Sequence, residues 1–186
     1  MGVDGEERGS DGARLANQLP ATSRWLINGE PTESMLASGC KGALRVTLRT
    51  RGREAHSAYA ELGQSAITPM ARLLLDLDSL VLPTDPVLGA STVNVGTIKG
   101  GSGANIVPGE CEAELMVRVI GDVTPVKAAF EQWVAGRAEL SYPSFTPAQR
   151  FPEVKGFAAK AFAYTTDAPL LPRWGTPLLF GPGSIT

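Results

Sequence analysis

The sequence has 186 residues, of which 43% are hydrophobic and 19% charged, with a formal net charge of −2. This composition is that of an ordinary folded domain, and the near-neutral charge predicts no electrostatic binding to nucleic acid or to a membrane surface. No apolar run approaches the about 20 residues that span a bilayer, and residues 1–7 lack the features of a signal peptide. Two cysteines, Cys40 and Cys111, suit a reducing compartment, so a cytoplasmic protein is predicted.

The first forty residues predict a few short elements. Ser10 can cap a short helix that runs to Gln18, and residues 25–27 indicate a buried strand. Glu30 lies on a loop just beyond the carboxyl end of that strand. Because ligands of α/β sheets bind at this edge, Glu30 is a candidate site residue.

Residues 41–145 carry the clearest periodicity. The predicted elements are strands at 41–51, 92–98, about 110–119 and 138–145, and helices at 65–80 and 124–136. Thr124 is predicted to cap the second helix, with Pro125 at its first position. The order β-α-β-β-α-β is that of the ferredoxin-like split unit, so the predicted fold class is α+β.

The remaining residues indicate pieces of another unit. Residues 146–156 predict a linker, followed by a short helix near 157–163 and a strand at 177–180 that ends in a glycine-rich loop. Together with the N-terminal segment, they suggest one second domain that is interrupted by an inserted one. The predicted division is 1–40, 41–145 and 146–186.

Three carboxylates are candidates for metal chemistry. Neighbouring side chains point to different sides of the backbone, so one of Glu6 and Glu7 could bind a metal ion while the other faces a metal-bound water. Glu30 could be a further ligand. The alternative for Glu6 and Glu7 is a solvated acidic pair near a terminus.

Three further residues could contact a substrate. His56 is the only histidine, which excludes a zinc site built from two or three histidines of this chain, but it could stabilise an oxyanion. Asn105 lies in a glycine-rich turn, and Arg118 ends the third strand, where it could bind a carboxylate in bidentate fashion. The alternatives are a surface histidine, a turn asparagine and an exposed edge arginine.

Strand directions separate these residues into two groups. The loops that carry His56 and Asn105 share one end of the inserted domain, and Arg118 lies at the other end, beside the flanking segments. A nine-residue strand spans about 30 Å, so cooperation between His56 and the N-terminal carboxylates is expected across a dimer. The same geometry keeps Cys40 and Cys111 apart, and two free thiols are predicted.

Several short stretches match one known family in combination and order. They are Gly5-Glu6-Glu7-Arg8-Gly9-Ser10, Asn28-Gly29-Glu30-Pro31-Thr32, Gly52-Arg53-Glu54-Ala55-His56-Ser57-Ala58, Asn94-Val95-Gly96-Thr97-Ile98-Lys99-Gly100-Gly101, Asn105-Ile106-Val107-Pro108 and Gly181-Pro182-Gly183. With these motifs the chain resembles the acetylornithine deacetylase and succinyl-diaminopimelate desuccinylase family, whose relatives include aminoacylases and glutamate-releasing carboxypeptidases.

The resemblance implies a metal-dependent amidohydrolase that releases the acyl group from an N-acyl amino acid. It implies that Glu6 is the general base and that Glu7 and Glu30 are ligands of a two-zinc site, in which cobalt or manganese could replace zinc. His56 and Asn105 would reach the active site of a partner subunit. Arg118 would hold the substrate carboxylate, and Thr165 would lie near the substrate.

The resemblance also implies an architecture. Residues 41–145 would form a dimerisation (lid) domain of a homodimer, flanked by incomplete pieces of an α/β zinc-hydrolase catalytic domain. The family's His-x-Asp pattern, bridging aspartate and final histidine have no counterpart in this sequence. A truncated chain, inactive alone, is therefore expected. The alternatives are a non-catalytic dimerisation module and a domain that binds a small regulatory molecule.

Overall fold

The computed structural model describes residues 11–184. In chain order, the strands are β1 (Trp25–Asn28), β2 (Leu36–Cys40), β3 (Gly42–Arg51), β4 (Ala55–His56), β5 (Thr84–Asp85), β6 (Gly89–Ala90), β7 (Thr92–Gly100), β8 (Ile106–Val107), β9 (Glu110–Val119), β10 (Glu139–Thr146), β11 (Gln149–Arg150), β12 (Ala159–Phe162) and β13 (Thr176–Leu179). The α-helices are α1 (Asp11–Ala16), α2 (Ile67–Leu75) and α3 (Thr124–Val134). Short 3₁₀ helices cover Ser57–Leu62, Leu77–Ser79, Ala168–Leu170 and Pro172–Trp174.

The centre of the fold is an antiparallel four-stranded sheet in the order β10-β3-β9-β7. Along the chain, its strands and the two longer helices follow as β3-α2-β7-β9-α3-β10. This is the predicted β-α-β-β-α-β unit, and the α+β class is confirmed.

One face of the sheet is buried because apolar side chains alternate with polar ones along β3 and β9. The buried residues of this face include Leu44, Val46, Leu48, Leu115 and Val117. Met70 and Leu73 from α2, and Phe130 and Trp133 from α3, complete the same core. Both helices therefore cover one side of the sheet.

The opposite face, which we call the open face, is polar. It carries arginines from β3 and glutamates from β9, and the two strands pair along their whole length. Arg49 contacts Glu112 at 2.5 Å, and Arg51 contacts Glu110 at 3.1 Å and Glu139 at 2.7 Å. These pairs lie at the end of the face near Arg51.

The flanking segments form smaller sheets. β1 pairs in parallel with β13, and β2 lies between β11 and β12. The strand predicted at 25–27 is present, but its expected burial is wrong, since Trp25 is 45% and Ile27 67% exposed. The short helix predicted near 157–163 is also wrong: β12 occupies that segment because it pairs with β2, and tertiary pairing overrides the helix propensity of its alanines.

Helix boundaries differ from prediction in two ways. α2 ends at Leu75, and the carbonyl of Asp76 accepts a hydrogen bond from Trp133 Nε1 at 3.1 Å. In α3 the capping side chain is Asp122 rather than Thr124. The carboxylate of Asp122 accepts hydrogen bonds from both the backbone N–H and the hydroxyl of Thr124, each at 2.9 Å.

Asp122 leads to a pH-dependent prediction. Hydrogen bonds from the backbone and side chain of Thr124 lower the pKa of Asp122 below its usual value of about 3.9. A carboxyl with a depressed folded-state pKa stabilises the fold above its unfolded pKa, and this stability disappears as the pH falls through the folded pKa. We therefore expect Asp122→Ala to lower the Tm at pH 7, and this deficit to shrink as the pH falls below the unfolded pKa of about 3.9. A Tm deficit that stays constant as the solution is acidified would contradict this account, and Glu131→Ala on the same helix is the control.

Both cysteines are buried and free, as predicted. Burial raises the pKa of the Cys111 thiol. Among residues 11–184, no helix is long and apolar enough to cross a bilayer.

Candidate functional site

The Glu30 loop and the glycine-rich loop meet at one sheet edge. β1 and β13 are parallel, so their carboxyl ends lie side by side. Glu30 follows β1 by two residues, and Gly181-Pro182-Gly183 follows β13 after Phe180. Glu30 therefore lies just beyond the carboxyl end of β1, at the sheet edge where its sequence position places it.

Hydrogen bonds clasp the two loops together. The Thr32 side chain is fully buried, and its hydroxyl donates to the Gly181 carbonyl at 3.0 Å while accepting from the Gly181 N–H at 2.9 Å. The Gly181 carbonyl also accepts from the backbone N–H groups of Thr32 and Ser34. A Cβ at position 181 would collide with the carbonyl oxygens of Gly29 and Glu30, so only glycine fits there.

The Thr32–Ser34 turn is conformationally unusual. Glu33 and Ser34 have φ angles of 55° and 59°, in the left-handed region that non-glycine residues seldom occupy. Such backbone persists only where surrounding contacts hold it, and here the glycine-rich loop supplies those contacts. The path of the chain directly after Glu30 is therefore fixed.

Glu30 is half-buried beside two groups that its charge affects. Tyr164 donates a hydrogen bond to the Pro31 carbonyl at 2.7 Å. Burial, together with the charge of Glu30, raises the pKa of Tyr164 to about 12. Burial also raises the pKa of the Cys40 thiol; a hydrogen bond with Thr166 opposes the rise, and the charge of Glu30 adds to it. The Glu30 carboxylate therefore lies in partly desolvated surroundings that its charge influences.

Arg118 lies at the junction between the four-stranded sheet and the C-terminal flank. Its Nη1 donates to Thr165 Oγ1 at 3.1 Å, and Thr165 Oγ1 donates to the Lys41 carbonyl at 2.9 Å. Arg118 is thus at the end of the sheet predicted for it. Thr165 adjoins Tyr164, so the arginine is connected to the surroundings of Glu30 through two consecutive residues.

Removing the Thr165 hydroxyl should loosen this junction. Thr165→Val leaves Arg118 without its side-chain partner and the Lys41 carbonyl without its donor, at a cost of about 1–2 kcal/mol in the free energy of unfolding. Thr165→Ser keeps the hydroxyl and should stay close to wild type. Urea denaturation measures both. A Thr165→Val variant as stable as wild type, or a Thr165→Ser variant destabilised as much as Thr165→Val, would contradict this account.

His56 and Asn105 adjoin each other at the opposite end of the sheet. His56 in β4 pairs with Ile106 in β8, and the Ser57 N–H donates to the Asn105 carbonyl at 2.9 Å. His56 is exposed, and its Nδ1 accepts a hydrogen bond from the Ala58 N–H at 3.1 Å. In the neutral ring the hydrogen is then on Nε2, which is free to donate to a developing oxyanion.

The two groups are well separated. Ten residues of β3 lie between the Arg118 end and the His56 end, about 30 Å at 3.3 Å per residue. Glu6 and Glu7 lie outside the described residues. Within residues 11–184, no three histidine, cysteine or acidic side chains converge as a metal site. Of the two predicted metal ligands, Glu7 and Glu30, the structure describes the surroundings of Glu30.

Comparison with known proteins identifies the central sheet and its helices. Residues 38–140 match the M20 family described as a peptidase dimerisation domain. The chain belongs to the M20 peptidase family. The resemblance drawn from the motifs is confirmed at this level.

M20 relatives match well beyond the dimerisation domain. A peptidase M20 domain-containing protein of Schizosaccharomyces pombe is 37% identical over 187 residues, which cover 98% of this chain and 47% of the relative. A probable carboxypeptidase of Aspergillus flavus is 35% identical over 214 residues, covering 98% of this chain and 50% of the relative. The chain therefore spans about half the length of these relatives.

Solved peptidase structures share the fold. A tripeptidase from Staphylococcus aureus superimposes with a TM-score of 0.68 at 20% identity, covering 95% of this chain and 53% of that one. The aminopeptidase PepT of Bacillus cereus gives a TM-score of 0.65 at 20% identity, covering 95% of this chain and 54% of that one.

Some residues around Glu30 and Arg118 were not predicted from the sequence. Thr32 belongs to the motif from which Glu30 alone was predicted as a site residue. The two hydrogen bonds of its buried hydroxyl could not be anticipated, because their partner, Gly181, lies on a loop that is distant in sequence. Tyr164 gave no sequence signal. Lys41 is buried, and its Nζ donates to the Ala90 carbonyl at 2.5 Å, a contact between distant segments that local patterns do not reveal.

Proposed function

We propose that this M20 chain supplies the dimerisation domain and part of the catalytic domain of a metal-dependent hydrolase of the acetylornithine deacetylase type. Its substrate is an N-acyl amino acid, from which it releases the acyl group. The observation that carries the proposal is the connection of Arg118 to Thr165, which adjoins Tyr164 beside the half-buried Glu30. Arg118, which can bind a substrate carboxylate, and Glu30, which can bind a metal ion, thus lie near one another.

Three carboxylates would hold the metal ions and move the proton. Glu7 and Glu30 would hold the zinc pair, in which cobalt or manganese could substitute, and Glu30 is half-buried just beyond the carboxyl end of β1. Bound zinc would supply an acidified water, with a pKa of about 7. Glu6 would act as the general base, accepting a proton and returning it to the leaving amine.

Substrate binding falls to the other side chains. Arg118, held by Thr165, binds the carboxylate of the amino acid with its planar guanidinium. His56 and Asn105 reach the active site of the partner subunit, where His56 Nε2 donates to the oxyanion. The distance of about 30 Å from the Arg118 end supports this assignment, because His56 is too far away to serve its own chain.

The homodimer is proposed to form along the edge of the sheet at β7. Within residues 11–184, this strand pairs on one side only, with β9. We call the apolar edge the exposed Ile98 of β7 together with the exposed Ile67, Ala71 and Leu75 of α2, of which Ile67 lies against Gly100 at the end of β7. A free strand edge next to exposed apolar side chains is a surface suited to a second copy of the chain.

Charge introduced at the apolar edge should prevent association. Ile98 is 50% exposed, so Ile98→Lys is compatible with the monomer fold but places an unpaired charge in the interface. Sedimentation equilibrium should show a dimer for wild type and a monomer for Ile98→Lys, with unchanged circular dichroism. Phe145→Lys on β10, at the other edge of the sheet, is the control and should remain dimeric. If both variants were monomeric, the assignment of the interface to the β7 edge would be wrong.

Hydrolysis can be tested in a chimera. The stretch of the S. pombe relative that matches this chain is replaced by this chain, and the product is loaded with zinc. We expect release of acetate from N-acetylated amino acids. A folded, zinc-containing chimera that hydrolyses none of them, alongside an active parent, would overturn the proposal.

The second candidate function is a non-catalytic association module. The apolar edge favours it, because that surface would serve dimerisation whether or not a metal binds. In that case the chimera would dimerise, and Glu30→Gln and Arg118→Gln would leave whatever activity it has unchanged. Loss of activity in both variants would instead favour the hydrolase.

A further inference from the structure

Two arginines on the open face differ from all others in the described chain. Arg45 and Arg118 are half-buried, whereas the other arginines of residues 11–184 are exposed. Within residues 11–184, neither has an acidic partner within 4.0 Å. The ion pairs of this part of the chain involve other arginines and one lysine, and the side-chain partner of Arg118 is the neutral Thr165. Partly desolvated charge without a counter-ion is costly, so an anion is the natural complement.

The two guanidinium groups share one region of the open face. Arg118 on β9 pairs with Ala43 on β3, and Arg45 follows Ala43 by two residues on the same face. Such diagonal neighbours are about 7–8 Å apart at Cα, within reach of two long side chains. Ala43 and Met116 form the apolar floor between them, since Met116 is the direct partner of Arg45.

Charge is distributed unevenly along this face. At the end near Arg51, each arginine is neutralised by glutamates. At the end near Arg118, the closest acid by strand register is Glu114, diagonal to Arg45, and the two side chains form no ion pair. Lys41, the nearest other cation in register, is engaged with the Ala90 carbonyl. Because a hydrogen bond to a carbonyl leaves the charge of Lys41 in place, Arg45, Arg118 and Lys41 stand against Glu114, and the local excess is two positive charges.

We propose that Arg45 is a specificity-determining residue that joins Arg118 in binding a substrate with two carboxylates. This inference rests on the proposed function, in which Arg118 binds the carboxylate of the amino acid. Arg45 binds a second carboxylate, carried by the acyl group or the side chain. The substrate class is an N-acyl amino acid whose non-reacting part is dianionic.

The two-arginine site can be tested by titration without any catalytic activity. Glutarate is the dianionic probe and butyrate the monoanionic one, and each is followed through the Arg Nε–Hε and Ala43 amide signals of ¹⁵N-labelled protein at low salt. We expect glutarate to bind about tenfold more tightly than butyrate, because a charge-assisted hydrogen bond contributes about 1.5–3 kcal/mol. Equal affinity for the two probes, or no saturable binding of either, would overturn the proposal.

Variants separate this inference from the proposed function. Arg45→Gln should weaken glutarate about tenfold and leave butyrate unchanged, whereas Arg118→Gln should weaken both. Arg49→Gln, on the same strand and face but paired with Glu112, is the matched control and should change neither. Glu114→Gln should tighten glutarate, because it removes the negative charge diagonal to Arg45.

The possible failures are distinguishable. If Arg118→Gln weakens both probes but Arg45→Gln affects neither, the specificity role of Arg45 is wrong and the role of Arg118 in the proposed function stands. If Arg118→Gln leaves butyrate binding intact, the carboxylate role proposed for Arg118 is wrong.

Discussion

Phe130→Ala is expected to destabilise the fold by about 3–5 kcal/mol, which is a large part of the total stability of an ordinary domain. Phe130 is fully buried in α3 and packs edge-on against Trp133, with ring centroids 5.9 Å apart. Removing the ring forfeits both its burial and the aromatic contact, and it leaves a cavity between α3 and the sheet. Urea unfolding followed by tryptophan fluorescence measures the loss.

The matched control for this substitution is Phe145→Ala. Phe145 lies on β10 and is 40% exposed, so its removal creates no enclosed cavity and should cost much less. Comparable losses for the two variants would mean that the core does not lie where the burial pattern places it. A change in the urea m-value would instead indicate an altered unfolded state.

The four-stranded sheet was predictable because its signal is local. Side chains of β3 and β9 alternate between a buried and an open face, and that period of two can be read from one strand without its neighbours. β2 was missed because four of its five residues are buried, so it has no alternation to detect. β12 was predicted as a helix because its alanines favour one, and only its pairing with β2 makes it a strand.

In the candidate site, too, features that follow from strand order were predictable, and contacts between distant segments were not. Strand directions alone predicted that the loops of His56 and Asn105 would share one end of the sheet and that Arg118 would lie at the opposite end, because antiparallel topology decides which loops share an end. The Thr32 clasp on Gly181 could not be predicted, since its partners are 149 residues apart in sequence. The half-burial of Arg45 depends on the neighbouring strands, so it could not be predicted from the sequence either.

Mixed dimers provide the most decisive result expected for the proposed catalytic arrangement. In the chimera that carries this chain, His56→Ala and Glu6→Gln should each abolish activity; loss of an oxyanion donor alone costs about 100- to 1,000-fold. If His56 serves the partner subunit, a heterodimer of the two variants contains one complete site, with Glu6 from one subunit and His56 from the other. The second site of that heterodimer lacks both groups.

The expected recovery follows from the two-fold symmetry of the dimer. Equal amounts of the two variants, unfolded and refolded together, give about half heterodimers, so activity should return to about a quarter of the unmodified chimera. Refolding either variant alone should restore none, which controls for partial activity. Because β3 separates His56 from the Glu30 edge of its own chain by about 30 Å, a site built within one subunit predicts no recovery at all. The assay therefore distinguishes a shared active site from two independent ones through a single rate measurement.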